Sequence, residues 1–125
     1  MIELETGDGL SEEYVARQHA KAAVTIRAAR AALGISQQEL ADSLGLSKST
    51  IARIETLEMQ PKFDVYVGIL AFFKREGIEI PQTLNDGVVM QISPKALDTA
   101  KRFLDDETKR RADRRKPHSV EEEKA

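Results

Sequence analysis

The stretch SQQELADSLGLSKSTIARIE, residues 36–55, gathers small polar and basic side chains at the front of a predicted helix. Lys48 and Arg53 are cations that donate hydrogen bonds, and Ser49 carries a hydroxyl group between them. Packing alone would accept longer helices and many other residues at these positions. We therefore interpret the stretch as a device that holds one helix at a fixed angle and presents its front end to a partner.

Other side chains that could do chemistry do not form a recognisable site. The chain has no cysteine, which excludes disulfides and thiolate metal ligands. His19 and His118 are far apart and have no carboxylate at ligand spacing, so we expect no metal and no cofactor. The serines of residues 36–49 have no histidine near them in sequence, although sequence distance alone does not exclude a catalytic triad. We predict that the chain is not an enzyme.

Composition favours one domain with appendages in a soluble protein. The chain has 125 residues, of which 41% are hydrophobic and 32% charged, and single domains commonly have about 100–150 residues. Its start, MIELETGDGL, is acidic and is unlike a signal peptide. The most apolar run, Val65–Phe73, has nine residues, whereas about 20 are needed to cross a bilayer. These features predict a cytoplasmic protein with no membrane partner.

Charge is distributed unevenly along the chain, although the net charge is only −2. Residues 1–19 hold five acidic residues and one arginine, whereas residues 20–76 hold eight lysines and arginines against six acids. The acidity therefore lies in an N-terminal arm and the middle of the chain is mildly basic. For a nucleic-acid partner this distribution matters more than the net charge.

The elements that position the polar stretch are predicted to be helices. Ser11 followed by two glutamates is typical of a capped helix start. The alanine-rich run that follows has no proline or glycine up to Leu33, which predicts one long helix or a short one feeding a second. Gly34 then provides the C-terminal cap.

Two short helices come next. Ser36 and Glu39 form a capping-box pattern at the start of the first, and Gly45 ends it with a left-handed backbone conformation. Ser47 caps the second, and Ala41 lies where the second helix must pass closely. The apolar residues of both helices can reach one core only if the helices cross steeply, as in a helix-turn-helix. They are Leu40, Leu44, Leu46, Ile51 and Ile54.

A fourth predicted helix begins after Pro61, ends near Gly77 and is apolar on more than one side. Its inner face is predicted to carry Phe63, Tyr66, Ile69 and Phe73. Three further apolar residues lie off that face, namely Val65, Leu70 and Phe72. Such a helix needs a second cover, either from the rest of the chain or from a second subunit.

The C-terminal third changes character. Ile78–Ile80 and Val88–Ile92 are β-prone runs joined by an Asn-Asp-Gly turn signal, which predicts a β-hairpin extension over residues 78–93. Ser93-Pro94 begins an amphipathic helix over residues 94–113. Its apolar stripe is predicted to consist of Leu97, Ala100, Phe103 and Leu104. Residues 114–125 are predicted to be a charged, disordered tail.

The segment IRAARAALGISQQELADSLGLSKSTIARIE resembles the DNA-binding domain of the lambdoid phage repressor and Cro-like family, often called XRE-type helix-turn-helix transcriptional regulators. The resemblance covers about residues 20–77, and the hairpin segment resembles an extension found in a subset of the family. The matching positions include Arg30, Gln37, Leu40, Ala41, Gly45, Ile51, Glu55 and Pro61. The implied fold is mostly α: a lambda-repressor-like helix-turn-helix bundle with a small C-terminal β-hairpin and an additional C-terminal helix. Residues 1–19 precede it as an acidic arm and helix start.

The resemblance implies a role for each matching position. Lys48, Ser49 and Arg53 are expected to face base edges in the major groove. A well-aligned bidentate contact to guanine, from arginine or lysine, is worth about 1–3 kcal/mol of discrimination. Phosphate contacts are expected from Ser36, Gln37, Ser47, Thr50 and Lys62. Arg30 and Glu55 are expected to form a structural ion pair that ties the first helix to the third.

One departure from the family pattern follows the glutamate. Where the family usually has a basic residue, glycine and a second basic residue, this chain has Thr56, Leu57 and Glu58. The missing glycine puts the shape of the loop in doubt, and Glu58 should repel phosphate. We therefore expect fewer contacts to the DNA backbone and a lower affinity per monomer, which dimerisation would compensate.

The leading hypothesis is a sequence-specific transcription regulator, acting as a repressor. It would read double-stranded DNA with helix 48–55, as a homodimer whose recognition helices lie about 34 Å apart on a palindromic operator. Residues 78–125 exceed what DNA reading requires, so an antitoxin-like or adaptor module that binds another protein through this segment stays open. The basic run 109–116 is either a solvated helix end or an auxiliary contact to the DNA backbone.

Overall fold

The computed structural model describes residues 11–82 and 87–106, which form five helices and one two-stranded sheet. The elements are α1 (Glu12–Leu33), α2 (Gln37–Leu44), α3 (Lys48–Glu55), α4 (Phe63–Arg75), β1 (Ile78–Glu79), β2 (Gln91–Ile92) and α5 (Pro94–Asp105). The predicted fold class is confirmed, because the chain is mostly helical with a small C-terminal sheet and a further helix. The predictions for the acidic arm before residue 11, the hairpin turn, the basic run and the tail lie outside the described residues.

The helix-turn-helix corner is fixed by local hydrogen bonds. Ser36 accepts a bond from the backbone N–H of Glu39 at 3.0 Å, and the Glu39 carboxylate accepts one from the N–H of Ser36 at 2.8 Å. This reciprocal pair satisfies two of the donors that a helix start leaves unpaired. Gly45 ends α2 at φ 71°, a left-handed conformation that a side chain at this position would strain. The sequence therefore stops α2 after eight residues and turns the chain into α3.

The core lies between α1, the helix-turn-helix and α4. Ala41 is fully buried, and its carbonyl accepts a bond from the Leu46 N–H at 2.9 Å, which closes the C-terminal end of α2. The buried apolar residues of the core are Ile26, Ala29, Leu33, Leu40, Ala41, Ile51, Ile54, Ile69, Phe72, Phe73, Ile78, Ile80 and Ala96. Because β1 and α5 contribute to this set, the C-terminal elements belong to the same domain as the helix-turn-helix.

The inner face of α4 differs from the prediction. Phe63, predicted to be in the core, is 82% exposed, whereas Phe72, predicted to lie off the inner face, is buried and packs edge-on against Phe73. Phe63 is the first residue of α4, so its side chain extends past the end of the core. Ile78 and Ala96 of the C-terminal elements are fully buried in the same core as Phe72 and Phe73, so these elements supply part of the second cover that the helix was expected to need.

The sheet is antiparallel and shorter than predicted. Ile78 pairs with Ile92 and Glu79 with Gln91, so each strand has two residues where three and five were predicted. Ser93 extends the connection by donating its N–H to the Gly77 carbonyl at 2.8 Å.

Among residues 11–82 and 87–106, none of the helices has an apolar stretch of the length that spanning a membrane requires.

Helix α5 packs against α1. Only part of the apolar stripe predicted for α5 is buried. Ala96 is fully buried and Ala100 and Phe103 are half-buried, while Leu97 and Leu104 are 56% and 58% exposed. The helix ends at Asp105 instead of the predicted residue 113. Acidic residues at its end are unfavourable next to the negative pole of a helix, which explains an early stop.

The loop after α3 shows how the chain turns without the glycine that the family usually has there. Leu57 itself adopts the left-handed conformation, at φ 67°, and Glu58 N–H bonds back to the Arg53 carbonyl at 2.8 Å. The loop thus has the backbone shape that glycine would give, with a leucine that is 51% exposed. A non-glycine residue in this conformation is strained by about 1–2 kcal/mol.

Replacing Leu57 with glycine is expected to stabilise the protein by about 0.5–1 kcal/mol. The relief of backbone strain exceeds the extra entropy that glycine gives the unfolded chain. Urea denaturation followed by circular dichroism measures the change. Leu57→Ala is the matched control, since alanine removes the exposed side chain but keeps the Cβ atom and the strain. Equal stabilisation by both variants would contradict the explanation.

Candidate nucleic-acid interface

The front of α3 is a capped helix start with polar side chains. The Ser47 hydroxyl accepts a hydrogen bond from the Thr50 N–H at 3.1 Å and is 2.9 Å from the Thr50 hydroxyl. This cap leaves the first backbone N–H groups of α3, those of Lys48 and Ser49, without partners inside the helix. A helix start of this kind attracts anions because its N–H groups and dipole favour negative charge.

The three side chains predicted to read bases lie on the surface of α3. Lys48, Ser49 and Arg53 are exposed, while Ile51 and Ile54 on the opposite side are buried in the core. The spacing explains this division, since residues 49 and 53 are one helical turn apart on the outer side. The structure therefore leaves these side chains accessible to a large ligand.

Arg53 forms an ion pair with Glu58, the acidic residue that departs from the family pattern. Its Nε atom lies 3.7 Å from an Oε atom of Glu58, and the two side chains are 54% and 64% exposed. An exposed pair of this kind contributes about 0–1 kcal/mol. Its importance is for binding, because any partner of Arg53 must compete with the Glu58 carboxylate. The sequence suggested only that Glu58 would repel phosphate.

The residues predicted to contact phosphates are placed at three helix starts. Ser36 and Ser47 are the N-cap residues of α2 and α3, and Lys62 is the exposed N-cap of α4, which has no side-chain cap. The serine hydroxyls accept bonds from backbone N–H groups within their own caps. The Ser36 hydroxyl still carries a hydrogen to donate, whereas the Ser47 hydroxyl shares a bond with the Thr50 hydroxyl. Gln37 is half-buried, and its Nε2 donates to the Glu55 Oε1 atom at 2.9 Å.

On the inner side of α3, a buried ion pair links α3 to α1. Arg30 of α1 contacts Glu55 of α3 through two bonds, Nε to Oε2 at 2.8 Å and Nη2 to Oε1 at 2.9 Å. Arg30 also donates from Nη1 to the carbonyl of Ile35, in the turn before α2, at 3.1 Å. With Gln37, the pair forms a cluster that links α1, α2 and α3. We call these three residues, Arg30, Gln37 and Glu55, the buried cluster.

Gln37 is the member of the buried cluster that the sequence did not reveal. The resemblance assigned it to a phosphate, and no pattern around residue 37 indicates that its amide also binds Glu55 across a separation of 18 residues. A side-chain amide carries two N–H donors, so one can bind the carboxylate while the other faces outward. The start of α2 is thereby tied to the end of α3.

The charge of Glu55 is stabilised by its neighbours. Its side chain is only 3% exposed, and burial by itself would raise the pKa of the carboxyl group. Hydrogen bonds from Arg30 and Gln37, together with the charges of Arg30 and Arg27, more than offset burial and lower the pKa below its ordinary value of 4.5. Glu55 is therefore an anion throughout the neutral range.

The described residues hold no group of three or more histidine, aspartate or glutamate side chains that could bind a metal ion. His19 is exposed on α1, and His118 lies outside the described part of the chain.

Comparison with known proteins supports the helix-turn-helix assignment of this segment. Residues 26–80 match the family model described as Helix-turn-helix, a segment that includes the last third of α1, all of α2, α3 and α4, and β1. Searches of curated proteins and of solved structures found no match. The resemblance predicted from the sequence is confirmed: residues 26–80 are a DNA-binding helix-turn-helix domain of the XRE type, the family of the lambda repressor and Cro proteins.

Proposed function

We propose that the protein is a sequence-specific repressor in the cytoplasm that reads a palindromic operator as a homodimer. The observation that supports this most is the exposure of Lys48, Ser49 and Arg53 on the outer side of α3, at a helix start whose N–H groups point outward. The buried cluster fixes the angle of that helix against α1 and α2. A fixed, exposed and positively charged helix front is suited to entering the major groove.

DNA binding by this surface would proceed through exchange of partners. Phosphates would accept hydrogen bonds from the starts of α2 and α3, where Ser36, Gln37 and Ser47 lie, and these contacts set the register without reading sequence. Arg53 would leave Glu58 and donate two parallel bonds to a guanine, with Lys48 reading a neighbouring base. Glu58 would then face the DNA uncompensated, which lowers the affinity of a single domain and makes a dimer necessary.

The exposed apolar side chains of the C-terminal elements support the dimer. Leu97 and Leu104, two turns apart on α5, are 56% and 58% exposed, and Ile92 of β2 is 42% exposed. Burial of such side chains against a second copy releases about 25 cal/mol per Å² of apolar surface. In the proposed dimer, α5 packs on α5 of the partner about a two-fold axis.

One experiment tests the function as a whole. Selection from random DNA duplexes at a stated salt concentration, with the molar mass of the protein and of the complex measured in solution, reports binding, site symmetry and stoichiometry together. The proposal requires a two-fold symmetric site bound by two chains, with affinity that falls as salt is raised. Failure to enrich any sequence would refute it.

A protein partner of residues 78–125 is the second candidate, because the same exposed leucines could bind a different chain. Deletion of residues 94–125 cannot decide between the two, since Ala96 and Phe103 pack on the domain itself. A Leu97→Glu, Leu104→Glu variant keeps these contacts. Halving of the molar mass in this variant favours the homodimer, whereas a wild-type protein that is already monomeric favours the protein partner.

Arg53→Ala is expected to weaken binding to the selected operator about 10- to 100-fold, because it removes a bidentate base contact worth about 1–3 kcal/mol. The loss should be smaller on a duplex in which the contacted guanine is replaced. Fluorescence anisotropy with both duplexes measures it. Lys74→Ala is the matched control, since Lys74 is another exposed cation and also pairs with a glutamate, Glu79, at 3.8 Å. Equal losses for both variants would mean that Arg53 contributes only charge.

A further inference from the structure

The loop that follows α3 holds a carboxylate beside Arg53. The backbone N–H of Glu58 donates to the Arg53 carbonyl at 2.8 Å, and the N–H of Met59 donates to the same carbonyl at 3.2 Å. Met59 also packs against the core, and Leu57 supplies the left-handed turn, at φ 67°, that brings the chain back. The backbone therefore fixes residue 58 next to residue 53, and their proximity does not depend on the conformations of the two side chains.

The Glu58 carboxylate can accept further hydrogen bonds. Its Oε1 atom lies 3.7 Å from Arg53 Nε, and its Oε2 atom lies 3.4 Å from the Thr56 hydroxyl. That hydroxyl lies closer to the Ala52 carbonyl, at 3.1 Å, and it has one hydrogen to donate. A carboxylate has about four lone-pair sites, and the Glu58 side chain is 64% exposed. A donor from outside the protein can therefore reach it.

The groups that DNA presents to a carboxylate are of two kinds. Phosphates are negatively charged and repel it, and in the major groove guanine and thymine present hydrogen-bond acceptors. The donors in that groove are the amino groups of cytosine, on N4, and of adenine, on N6. Each base pair carries one of these amino groups, on the strand that bears the cytosine or adenine. A carboxylate that enters the groove therefore distinguishes cytosine and adenine from thymine and guanine on the strand that it faces.

The separation of the two side chains is close to one step of the duplex. Arg53 Nε and Glu58 Oε1 are 3.7 Å apart, and successive bases of one strand are about 3.4 Å apart along the helix axis. When Arg53 donates to a guanine, Glu58 is therefore close enough to contact a neighbouring base. The contact between the two exposed side chains is weak, so each side chain can exchange it for a base at little cost.

We propose that Glu58 is a further base-reading residue, which accepts a hydrogen bond from the amino group of a cytosine or adenine next to the guanine that Arg53 contacts. This inference rests on the proposed function and adds one position to the operator. Once Arg53 has left Glu58, the base amino group takes the place of the arginine. Glu58 is then satisfied at the right base and unpaired at a wrong one, and a contact that penalises wrong sites adds to specificity.

The first test is selection from random duplexes with wild type, Arg53→Ala and Glu58→Ala at the same salt concentration. The guanine whose preference is lost in Arg53→Ala marks the contact of Arg53. At one neighbouring position of one strand, the wild type should prefer cytosine or adenine over thymine and guanine about tenfold. The profile shows which of the two bases is read. In Glu58→Ala this preference should fall to about twofold or less, while the guanine is retained.

The same selection separates failure of the inference from failure of the proposed function. If the wild type enriches a two-fold symmetric site and Glu58→Ala keeps every preference, Glu58 reads no base and the inference is wrong. If the wild type enriches no sequence, the proposed function is refuted, and the inference falls with it.

The second test measures affinity for two duplexes that differ at the position assigned to Glu58. Replacing the selected cytosine with thymine, or the selected adenine with guanine, puts a carbonyl acceptor where the amino donor was. In fluorescence anisotropy the wild type should bind the substituted duplex about tenfold more weakly than the operator, whereas Glu58→Ala should bind the two within about twofold of each other. Glu79→Ala is the matched control, since Glu79 is another exposed glutamate that pairs with a cation, Lys74, at 3.8 Å.

The control variant should keep the discrimination of the wild type, and circular dichroism checks that both variants are folded. Equal tightening of both duplexes by Glu58→Ala would mean that the acid only repels the DNA backbone, and the proposed base contact would be wrong. Loss of discrimination in Glu79→Ala as well would also overturn the proposal, because net charge alone would then explain the effect.

Discussion

A Glu55→Ala protein is expected to lose about 3–5 kcal/mol of its free energy of unfolding. The substitution leaves the Arg30 guanidinium, only 22% exposed, without its carboxylate, and breaking a buried pair by removing one partner costs this much because a charge stays behind unpaired. Gln37 loses its acceptor as well. For a domain whose total stability is about 5–15 kcal/mol, the loss is large enough to unfold part of the population at 37 °C.

The loss is measured by urea denaturation, with Glu58→Ala as the control. Glu58 also pairs with an arginine, but it is 64% exposed and its removal should change stability by no more than about 1 kcal/mol. A double variant, Arg30→Met with Glu55→Leu, should recover much of the loss, since well-packed apolar residues often replace a buried pair at little cost. Equal losses in Glu55→Ala and Glu58→Ala would show that the buried cluster does not hold the helices together.

The stabilisation by Glu55 should decrease as pH falls into the acid range. The pKa of Glu55 is lower in the folded protein than its ordinary value of 4.5, so the unfolded chain takes up the proton first as pH falls. The stabilisation by Glu55 is fully present above the unfolded pKa and is lost as pH falls below about 4.5 towards the folded pKa. The difference in stability between wild type and Glu55→Gln should therefore be constant near neutral pH and shrink in acid. A difference that grows in acid would reverse the assigned shift.

The sequence was most informative where structure is decided by neighbours in the chain. The capping box at Ser36 and Glu39 and the left-handed cap at Gly45 involve residues a few positions apart, so their types and spacing suffice to predict the turn. The packing of α2 against α3 follows from that turn, and Ala41 is fully buried in the core that the two helices share. These local signals explain why the fold class could be predicted without coordinates.

The sequence was least informative where contacts between distant segments decide which side chains are buried or paired. Helical spacing placed Phe63 in the core, but it cannot show that the first residue of α4 is exposed. The same spacing grouped Leu97 with Phe103, yet only the position of α1 decides that Phe103 packs and Leu97 is exposed. The contacts of Arg53 with Glu58 and of Gln37 with Glu55 likewise depend on side-chain geometry.

Under the proposed function, the candidate site combines residues that would contact bases with a cluster that positions their helix. Substitutions of Lys48 and Arg53 on the exposed side of α3 would then alter specificity, whereas Arg30, Gln37 and Glu55 link α3 to α1 and α2. Gln37 bonds to Glu55 and also lies at the start of α2. If the proposed phosphate contact of Gln37 forms, contacts to the DNA backbone and the stability of the fold would be coupled through the Glu55 carboxylate.

A Gly34→Ala protein is expected to lose about 2–5 kcal/mol, and the loss reports whether α5 is part of the domain. Gly34 has φ 76°, which strains any other residue by about 1–2 kcal/mol. A Cβ atom there would also lie 2.5 Å from the Phe103 ring of α5, so the helix must shift, and overpacking of this kind costs about 1–3 kcal/mol more. Denaturation in urea measures the total.

Gly45→Ala separates the two contributions. Gly45 has a similar φ of 71°, but a Cβ atom there would meet nothing within 4 Å, so its substitution should cost only the backbone strain of about 1–2 kcal/mol. In a Phe103→Ala background the penalty of Gly34→Ala should fall to that of Gly45→Ala, because the ring is no longer in the way. If Gly34→Ala and Gly45→Ala cost the same in the wild-type background, α5 does not pack on α1 in solution. The exposed leucines of α5 would then have no fixed position from which to hold a second copy, and the proposed dimer would lose its support.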